Sequence, residues 1–513
     1  MSNEEYIPTI GLEIHAELRT KSKMFCSCVN DPDEEKPNKN ICPICLAHPG
    51  TLPVLNKEAI KNVIKIGIAV GGKIADFTEW DRKNYFYPDI PKGYQISQYK
   101  FPLVSDGNLA GVELERIHLE EDTAQSTHDT HQNSLINFNR SGVPLMELVT
   151  KPVIHDAKTA VVFAKELQLL LRYLNAGDAN MEKGEMRVEA NISVATKTDT
   201  KAGKFGTKTE VKNLNSFRSV ERAIEYELKR QSSLLRNGDK VIQETRGWDD
   251  VKEETYSQRS KESSHDYRYF PDPDIPKLKI SEIPEFSTNV LKKEIPELPW
   301  TKRERYKKEF GLTDTEVAIF VESPLLASYF EKIISKWNKD QKKIKLTVNY
   351  LLSDYLGLLK GNNNQDLASA NNSPATIDSN DHDNLYNNSL TYGPMPINLF
   401  QELIEMIDCG ELSSRGAKDL LSTLVNDEKK LTTLKNGKIQ LKEFASERGF
   451  IQKSNESELE PIIKEIIASN QKVVAEYKSG KTTSLQYLIG QAMKATKGSA
   501  NPEVIKRLLL SGM

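Results

Sequence analysis

The chain has 513 residues, of which 70 are lysine or arginine and 73 are aspartate or glutamate, so its formal net charge is −3. The chain has 38% hydrophobic residues and no apolar run near the roughly 18 residues that span a bilayer. This composition is typical of a globular protein and excludes a membrane-spanning one. The length predicts about three domains. The first residues contain neither an apolar signal core nor an arginine-rich leader, which predicts a cytoplasmic protein.

Two strands predicted in the N-terminal half each have one polar and one apolar face. Over residues 11–17, Glu13, His15 and Glu17 share one face, an unusual pattern for a plain surface strand. Over residues 187–194, apolar and polar side chains alternate strictly. Both patterns therefore predict a sheet with one buried apolar face and one face of polar and charged side chains.

Helices are predicted from apolar stripes and from capping patterns. Leucines recur at helical spacing over 157–175, and Gly177 is the predicted stop signal. A second stripe runs over 220–228. Further along, residues 313–316 have the spacing of a capping box, and Ser323 is a predicted N-cap followed by proline.

These patterns predict an α+β fold in three parts. A mixed α/β domain occupies residues 1–296, an all-α helical domain 297–430, and a small all-α tail 431–513. Residues 362–389 contain nine asparagines and predict a disordered insertion in the helical domain. Residues 472–513 contain seven basic and two acidic side chains, a net charge of +5 that favours either a phosphate-binding surface or a solvated helix face.

Four of the five cysteines lie close together in the sequence. Cys26 and Cys28 are separated by thirteen residues from Cys42 and Cys45, a spacing typical of zinc ribbons. Four thiolates suit tetrahedral Zn²⁺, and in a reducing cytosol two disulfides are disfavoured. The sequence predicts a structural zinc site in a ribbon-like insertion over 26–45, with four reduced cysteines and no metal as the alternative.

Carboxylates form a second group of candidate ligands. Besides Glu13, the acidic run that follows His118 and the isolated Glu189 and Glu210 supply oxygen ligands of the kind Mg²⁺ prefers. Exposed acidic residues are also common without any function, so composition leaves both interpretations open.

Basic and aromatic residues alternate over 81–94, and residues 265–274 repeat this chemistry. Their cationic side chains suit phosphates. Their rings suit either stacking on bases or packing in a core.

Together these motifs resemble one family, the B subunits of the aspartyl/glutamyl-tRNA amidotransferases, over nearly the whole chain. The residues that carry the resemblance include Ile10-Gly-Leu-Glu-Ile-His15, Arg82-Lys-Asn-Tyr-Phe-Tyr-Pro-Asp89, Ile117-His-Leu-Glu-Glu-Asp122, Asn139-Arg-Ser-Gly-Val-Pro-Leu145, Lys212-Asn-Leu-Asn-Ser-Phe217, Gln243-Glu-Thr-Arg246 and Gly490-Gln-Ala-Met-Lys-Ala-Thr-Lys-Gly-Ser-Ala-Asn-Pro502. Glu189 departs from the family pattern, in which many members have aspartate at that place.

The resemblance implies a ligase of protein biosynthesis in which ATP phosphorylates the side-chain carboxylate of misacylated Glu-tRNA(Gln) or Asp-tRNA(Asn), and ammonia then displaces phosphate to form the amide. It implies that the first domain is a catalytic cradle. It also implies two partners, the glutaminase (amidase) A subunit that delivers ammonia and the small C subunit, in a heterotrimer that binds neither DNA nor membranes. A non-catalytic tRNA-binding scaffold and a ligase acting on a free small molecule remain as alternatives.

The resemblance also assigns roles to individual residues. Magnesium ligands would be Glu13, His15, Glu121 and Glu210, with Glu120 as a neighbour. Lys83, Tyr85 and Glu189 would complete the catalytic set. Three cationic residues would contact ATP, namely Arg82, Lys83 and Arg140. Four in the tail would contact the tRNA, namely Lys494, Lys497, Lys506 and Arg507.

Overall fold

The computed structural model describes residues 6–128, 133–260, 267–359, 395–427, 434, 440–452, 456–496 and 500–513. The predicted insertion over 362–389, Lys497 and residues 265–266 of the second basic-aromatic run lie outside them. The chain divides into two compact units, residues 1–299 and residues 300–513.

The first unit is built on a ten-stranded sheet flanked by helices. Its central strand β1 (Tyr6–Glu17) lies between β11 and β12 and pairs antiparallel with both. The sheet has the order β15-β14-β13-β12-β1-β11-β8-β6-β2, with β7 paired to β8. The other strands of this unit are β2 (Lys73–Ile74), β3 (Phe77–Thr78), β4 (Asp81–Asn84), β5 (Tyr94–Ser97), β6 (Val104–Ser105), β7 (Asn108–Leu109), β8 (Val112–Glu121), β9 (Gln125–His128), β10 (Ser134–Asn137), β11 (Pro144–Thr150), β12 (Met186–Thr196), β13 (Thr209–Leu214), β14 (Glu244–Asp249), β15 (Glu254–Ser260), β16 (Phe270–Pro271) and β17 (Leu278–Lys279).

The apolar face of the sheet is covered by helices. Ile10, Leu12 and Ile14 of β1 are almost fully buried, as their alternation predicts. The helices of this unit are α1 (Lys57–Ala69), α2 (Ala157–Tyr173), α3 (Lys197–Lys201), α4 (Phe217–Arg236) and α5 (Thr288–Glu294), with 3₁₀ turns at Ile280–Glu282 and Pro284–Phe286. Of these, α4 packs against both α2 and β12, and α1 packs against β8.

The helix predicted over 157–175 is confirmed, but its predicted stop signal is wrong. Leu174 is the C-cap of α2, and Asn175 has the left-handed φ of 52°. Gly177 serves a different purpose, because a Cβ there would lie 2.6 Å from the backbone oxygen of Glu17. The glycine lets this loop approach the end of β1 closely.

Three small β structures accompany the main sheet. β16, β4 and β5 form a three-stranded sheet in that order, and β5 packs against β8. β9 pairs with β10, and β17 pairs with β3.

The second unit is helical, as predicted. Its described helices are α6 (Pro299–Phe310), α7 (Asp314–Glu322), α8 (Pro324–Ile334), α9 (Gln341–Asn349), α10 (Ile397–Asp408), α11 (Ser414–Asn426), α12 (Leu441–Glu447), α13 (Glu456–Ser469), α14 (Gln471–Lys478), α15 (Thr483–Ala495) and α16 (Pro502–Gly512), with a 3₁₀ turn at Ser335–Trp337 and a π-helical turn at Tyr350–Tyr355. The capping box at Thr313 and the N-cap at Ser323 are confirmed.

The last four helices share one apolar core. Leu459 and Ile463 of α13 belong to the same buried cluster as Leu488 of α15 and Leu509 of α16. Within the described parts of the chain, no helix combines the length and apolarity needed to cross a membrane.

Candidate functional site

The polar face of the main sheet gathers charged side chains from neighbouring strands. Glu13 on β1 lies opposite Glu189 on β12, and His15 lies opposite Glu147 on β11. Glu147 in turn lies opposite His118 on β8. Directly opposite residues of antiparallel strands point to the same face, so the pairing brings together residues distant in the chain.

Three carboxylates form a first cluster on this face. Glu13, Glu189 and Glu210 each offer an oxygen, and these atoms lie within 4.8 Å of one another. Lys212 Nζ lies 2.7 Å from Glu189 Oε2 and 3.7 Å from Glu210 Oε1. Thr245 on β14 donates its hydroxyl hydrogen to Glu210 Oε2 at 2.8 Å. Burial raises the pKa of Glu13, and repulsion from Glu147 and then Glu189 raises it further, so a cation added beside Glu13 would be stabilised.

A second cluster adjoins the first and centres on two imidazoles. His15 Nε2 lies 3.4 Å from Glu120 and 3.5 Å from Glu147, and His118 Nε2 lies 3.1 Å from Glu147. Burial disfavours the charged form of His15, but the hydrogen bond to Glu147 and the nearby carboxylates raise its pKa to about 9. Burial alone would raise the pKa of Glu147, but the two imidazoles hold that pKa well below its usual range.

Buried polar atoms on this face lack protein partners. Within the described residues, His118 Nδ1, Glu120 Oε2 and Asn191 Oδ1 have no hydrogen-bond partner. Unsatisfied groups of this kind are costly unless a ligand, ion or water satisfies them.

Lys83 and Tyr85 lie beside the second cluster. Lys83 Nζ is 5.2 Å from the ring centre of Tyr267 and 5.9 Å from that of Tyr85. Burial opposes the charge of Lys83, but the Glu120 carboxylate raises its pKa. Burial raises the pKa of Tyr85, whose hydroxyl donates to Gln95 Oε1 at 3.0 Å. The site thus presents a half-buried cation and a protonated phenol near the Glu120 carboxylate of the second cluster.

The four clustered cysteines are free and lie in the loop between β1 and α1. Their sulfurs lie within 4.8 Å of one another, and Sγ of Cys42 is 3.9 Å from Sγ of Cys45. Tetrahedral zinc with bonds of about 2.3 Å needs sulfurs about 3.8 Å apart. The residues therefore fit a zinc ion.

Comparison with known proteins identifies the family. A model of the GatB/GatE catalytic domain matches residues 8–284, and a model of the GatB domain matches residues 328–513. The chain is 40% identical to the B subunit of the aspartyl/glutamyl-tRNA(Asn/Gln) amidotransferase of Thermodesulfovibrio yellowstonii, covering 98% of each chain. It is 40% identical to the protein of that name in Caldicellulosiruptor bescii, over 98% of each chain, and 38% identical to that of Gloeothece citriformis, over 98% of this chain and 97% of the relative.

The chain belongs to this family of amidotransferase B subunits. Its N-terminal family match contains both clusters of the polar face and the cysteine loop. The resemblance inferred from the sequence motifs is therefore confirmed.

One expected member of the site, Glu121, is arranged differently from the sequence-based expectation. Glu121, expected beside Glu13 and His15, accepts instead from the Ile96 amide at 3.0 Å and pairs with Lys92 at 2.5 Å. It lines a cavity of about 280 Å³ together with Cys26 and Cys45. Successive strand residues point to opposite faces, so Glu120 is the one beside His15.

Glu147 is the member that the sequence analysis missed. It is a single acidic residue in the apolar strand β11, and only 5% of it is exposed. A lone charge within an apolar strand is rarely buried without partners, and this signal was available in the sequence.

The two arginines expected at ATP are engaged within the protein. Arg82 Nε donates to Asp272 at 2.7 Å, and its guanidinium lies 4.4 Å from the ring centre of Tyr94. Arg140 lies 2.9 Å from Asp122 and also pairs with Glu17. Arg140 thus lies at the Glu17 end of the polar face, and both guanidinium groups are paired with carboxylates.

The basic residues of the tail are mostly on its surface. Lys494 and Lys506 are exposed, on α15 and α16. Arg507 pairs with Glu456 at the start of α13, so its charge is partly compensated.

Proposed function

We propose that this chain catalyses the ATP-dependent activation and amidation of misacylated Glu-tRNA(Gln), Asp-tRNA(Asn) or both. The observation that carries this proposal is the carboxylate cluster of the polar face, with the half-buried ammonium of Lys83 near Glu120 of the adjoining cluster. A surface that only binds RNA needs cations toward phosphates and gives no reason to collect Glu13, Glu189 and Glu210 within a few ångströms. Relatives that cover the whole chain carry the amidotransferase name.

The reaction needs activation because a free carboxylate is a poor acyl donor. An oxygen of the tRNA-linked side-chain carboxylate attacks the γ-phosphorus of ATP, the bond to the bridging oxygen breaks, and ADP leaves. Ammonia then adds to the carbonyl carbon of the acyl phosphate, inorganic phosphate departs, and a proton is lost to leave the amide. Both steps depend on positioning and charge neutralisation more than on a covalent enzyme intermediate.

The residues beside the second cluster suit these steps. The ammonium of Lys83 would neutralise a phosphoryl oxygen, since its raised pKa keeps it charged at neutral pH. Tyr85 would remain protonated and donate a hydrogen bond. The Glu147 carboxylate would keep His15 oriented through its hydrogen bond.

Two metals fit residues on this chain. Glu13, Glu189 and Glu210 would hold Mg²⁺, with His15 close by, and the ion would supply charge neutralisation for the phosphates of ATP. Burial raises the pKa of Glu13, and repulsion from Glu147 and Glu189 raises it further, so a cation there would relieve that repulsion. Cys26, Cys28, Cys42 and Cys45 would hold structural zinc and leave no open coordination position.

The partners follow from the same proposal. Ammonia would come from the glutaminase (amidase) A subunit, and the small C subunit would complete the enzyme. The tail would bind the tRNA through Lys494, Lys506 and Arg507. Lys497, which lies outside the described residues, is a further expected contact.

ADP formation tests the proposal. The chain co-purified with its amidase partner is given ATP and either Glu-tRNA(Gln) or Asp-tRNA(Asn), with and without glutamine. We expect ADP only with a misacylated tRNA, and the productive tRNA identifies the substrate. Lys83→Met should abolish ADP formation. Lys240→Met, which changes an exposed lysine of the same unit, should not.

Tight tRNA binding without ADP from either substrate would instead make the chain a scaffold. ADP formation that needs no charged tRNA would favour a ligase acting on a small molecule.

A further inference from the structure

Five tyrosines from the segments that flank the small sheet β16-β4-β5 form a continuous aromatic strip beside the candidate site. The rings of Tyr87 and Tyr85 are 6.0 Å apart, those of Tyr85 and Tyr267 are 5.8 Å apart, and those of Tyr267 and Tyr269 are 6.0 Å apart. Tyr269 stacks on Tyr99 with centres 4.4 Å apart and an interplanar angle of 10°. The strip therefore runs from Tyr87 to Tyr99 and passes Lys83 on the way.

Both ends of the strip are exposed, Tyr99 to 62%, and a second strongly exposed ring adjoins the Tyr87 end. Phe86, the neighbour of Tyr87, is 87% exposed, and Tyr87 is 52% exposed. The ring of Phe86 lies near Gly93, where an added Cβ would approach it to 3.0 Å. A large ring exposed at the surface in this way is available for contact with a partner.

The chemistry of the surroundings points to nucleobases. Cations lie among the rings: Lys83 lies against Tyr267, and Arg82, which is already paired with Asp272 and Asp274, lies against Tyr94 and Phe270. Lys83 is therefore the cation offered to a phosphate here. Flat rings with adjacent cations bind unpaired nucleotides, the rings stacking on bases and the cations meeting phosphates.

We propose that the Tyr87 end of the aromatic strip, together with the adjoining Phe86, stacks the unpaired bases at the 3′ end of the tRNA. This inference rests on the proposed function, which brings the acylated 3′ end to Lys83. The strip is continuous with that site, because Tyr85 joins Tyr87 to Lys83. Stacking there would fix the acceptor end while the esterified side chain reaches the polar face.

The test uses an uncharged acceptor-stem minihelix with 2-aminopurine as its 3′-terminal base. The fluorescence of this base is quenched when it stacks, and the probe requires neither ATP nor turnover. With the chain in its complex with the amidase partner, we expect quenching on binding. The double variant Phe86→Leu/Tyr87→Leu should lose most of it and raise the Kd of the probe about 10-fold.

Controls separate stacking from other effects. Phe205→Leu changes another exposed ring, 62% accessible, outside the strip and should leave both quenching and Kd unchanged. Phe86→Trp keeps a ring and should retain quenching even if the leucine variant proves unstable. A minihelix whose 2-aminopurine lies within the base-paired stem should show no quenching that depends on Phe86.

Two results would overturn the proposal. In the first, the leucine variant raises the KM for ATP but leaves the quenching intact, so that the ring stacks on ATP. In the second, the variant loses the amidase partner while the probe still binds normally, so that the rings form a contact between proteins. Quenching that persists in an enzyme without tRNA-dependent ADP formation would support the stacking and contradict only the proposed function.

Discussion

Thr245 donates its hydroxyl hydrogen to Glu210 Oε2 and thereby fixes one carboxylate of the first cluster. Groups that orient metal ligands typically change affinity or activity 10- to 100-fold when removed. Thr245→Val keeps the shape but removes the donor, so we expect about a 10-fold higher Mg²⁺ concentration for half-maximal ADP formation. Thr245→Ser should stay near wild type. An equal loss in both variants, or a changed Kd for tRNA, would argue for a purely structural role.

His15 makes the stability of the protein depend on pH when no Mg²⁺ is added. Its pKa of about 9 in the folded chain exceeds the ordinary value of 6.5, so folding favours the protonated form. The resulting stabilisation is full below about pH 6.5 and is lost as the pH rises through 9. We expect the difference in unfolding free energy between wild type and His15→Gln to shrink by about 3 kcal/mol over this window, as measured by urea unfolding. If the difference in unfolding free energy stayed constant over this pH range, the proposed role of His15 in the pH dependence would be wrong.

Alternation along a strand is enough to predict that Glu13 and His15 share a face, because the side-chain period of two is a local property. It cannot decide between Glu120 and Glu121, since the phase of β8 relative to β1 depends on pairing through β11. For the same reason Glu147 reaches both imidazoles only once the sheet has formed.

The cysteine loop is the element in which the proposed zinc ion would replace regular secondary structure as the source of order. Between β1 and α1 the described chain has no helix and no strand beyond an isolated bridge from Ser22 to Val29. We expect one zinc per chain by elemental analysis, and Cys45→Ser should lose most of it and open the loop to proteolysis while the sheet remains folded. Cys409→Ser, which changes the exposed cysteine of the helical unit, is the matched control and should retain zinc. A zinc content unaffected by Cys45→Ser would refute the assignment.

Elements with strong local signals were predictable from the sequence, whereas the contacts between distant elements were not. The helix at 157–175 and the caps at Thr313 and Ser323 follow from periodicity and side-chain bonding that act within a few residues. The role of Gly177 depends on the backbone oxygen of Glu17, about 160 positions earlier in the chain. No local rule contains that contact.

At the scale of the whole molecule, the tail is the part proposed to hold the body of the tRNA. The basic segment begins at residue 472, but a deletion there would divide the shared core, since Leu459 and Ile463 pack with Leu488 and Leu509. Removing residues 456–513 respects that core. The tail's contacts with tRNA would be electrostatic, so they should affect binding and leave the chemistry of the sheet unchanged.

We therefore expect the 456–513 deletion to raise the KM for tRNA about 10-fold or more, with kcat at saturating tRNA and glutamine hydrolysis by the partner unchanged. The double charge reversal Lys494→Glu/Lys506→Glu should act in the same direction and flatten the dependence of Kd on salt, because about two phosphate contacts would be lost. Lys240→Glu adds negative charge in the first unit and serves as the control for net charge. A deletion that left KM unchanged would remove the tail from the tRNA interface. A deletion that lowered kcat by as large a factor as it raised KM would instead place the tail near the reacting groups.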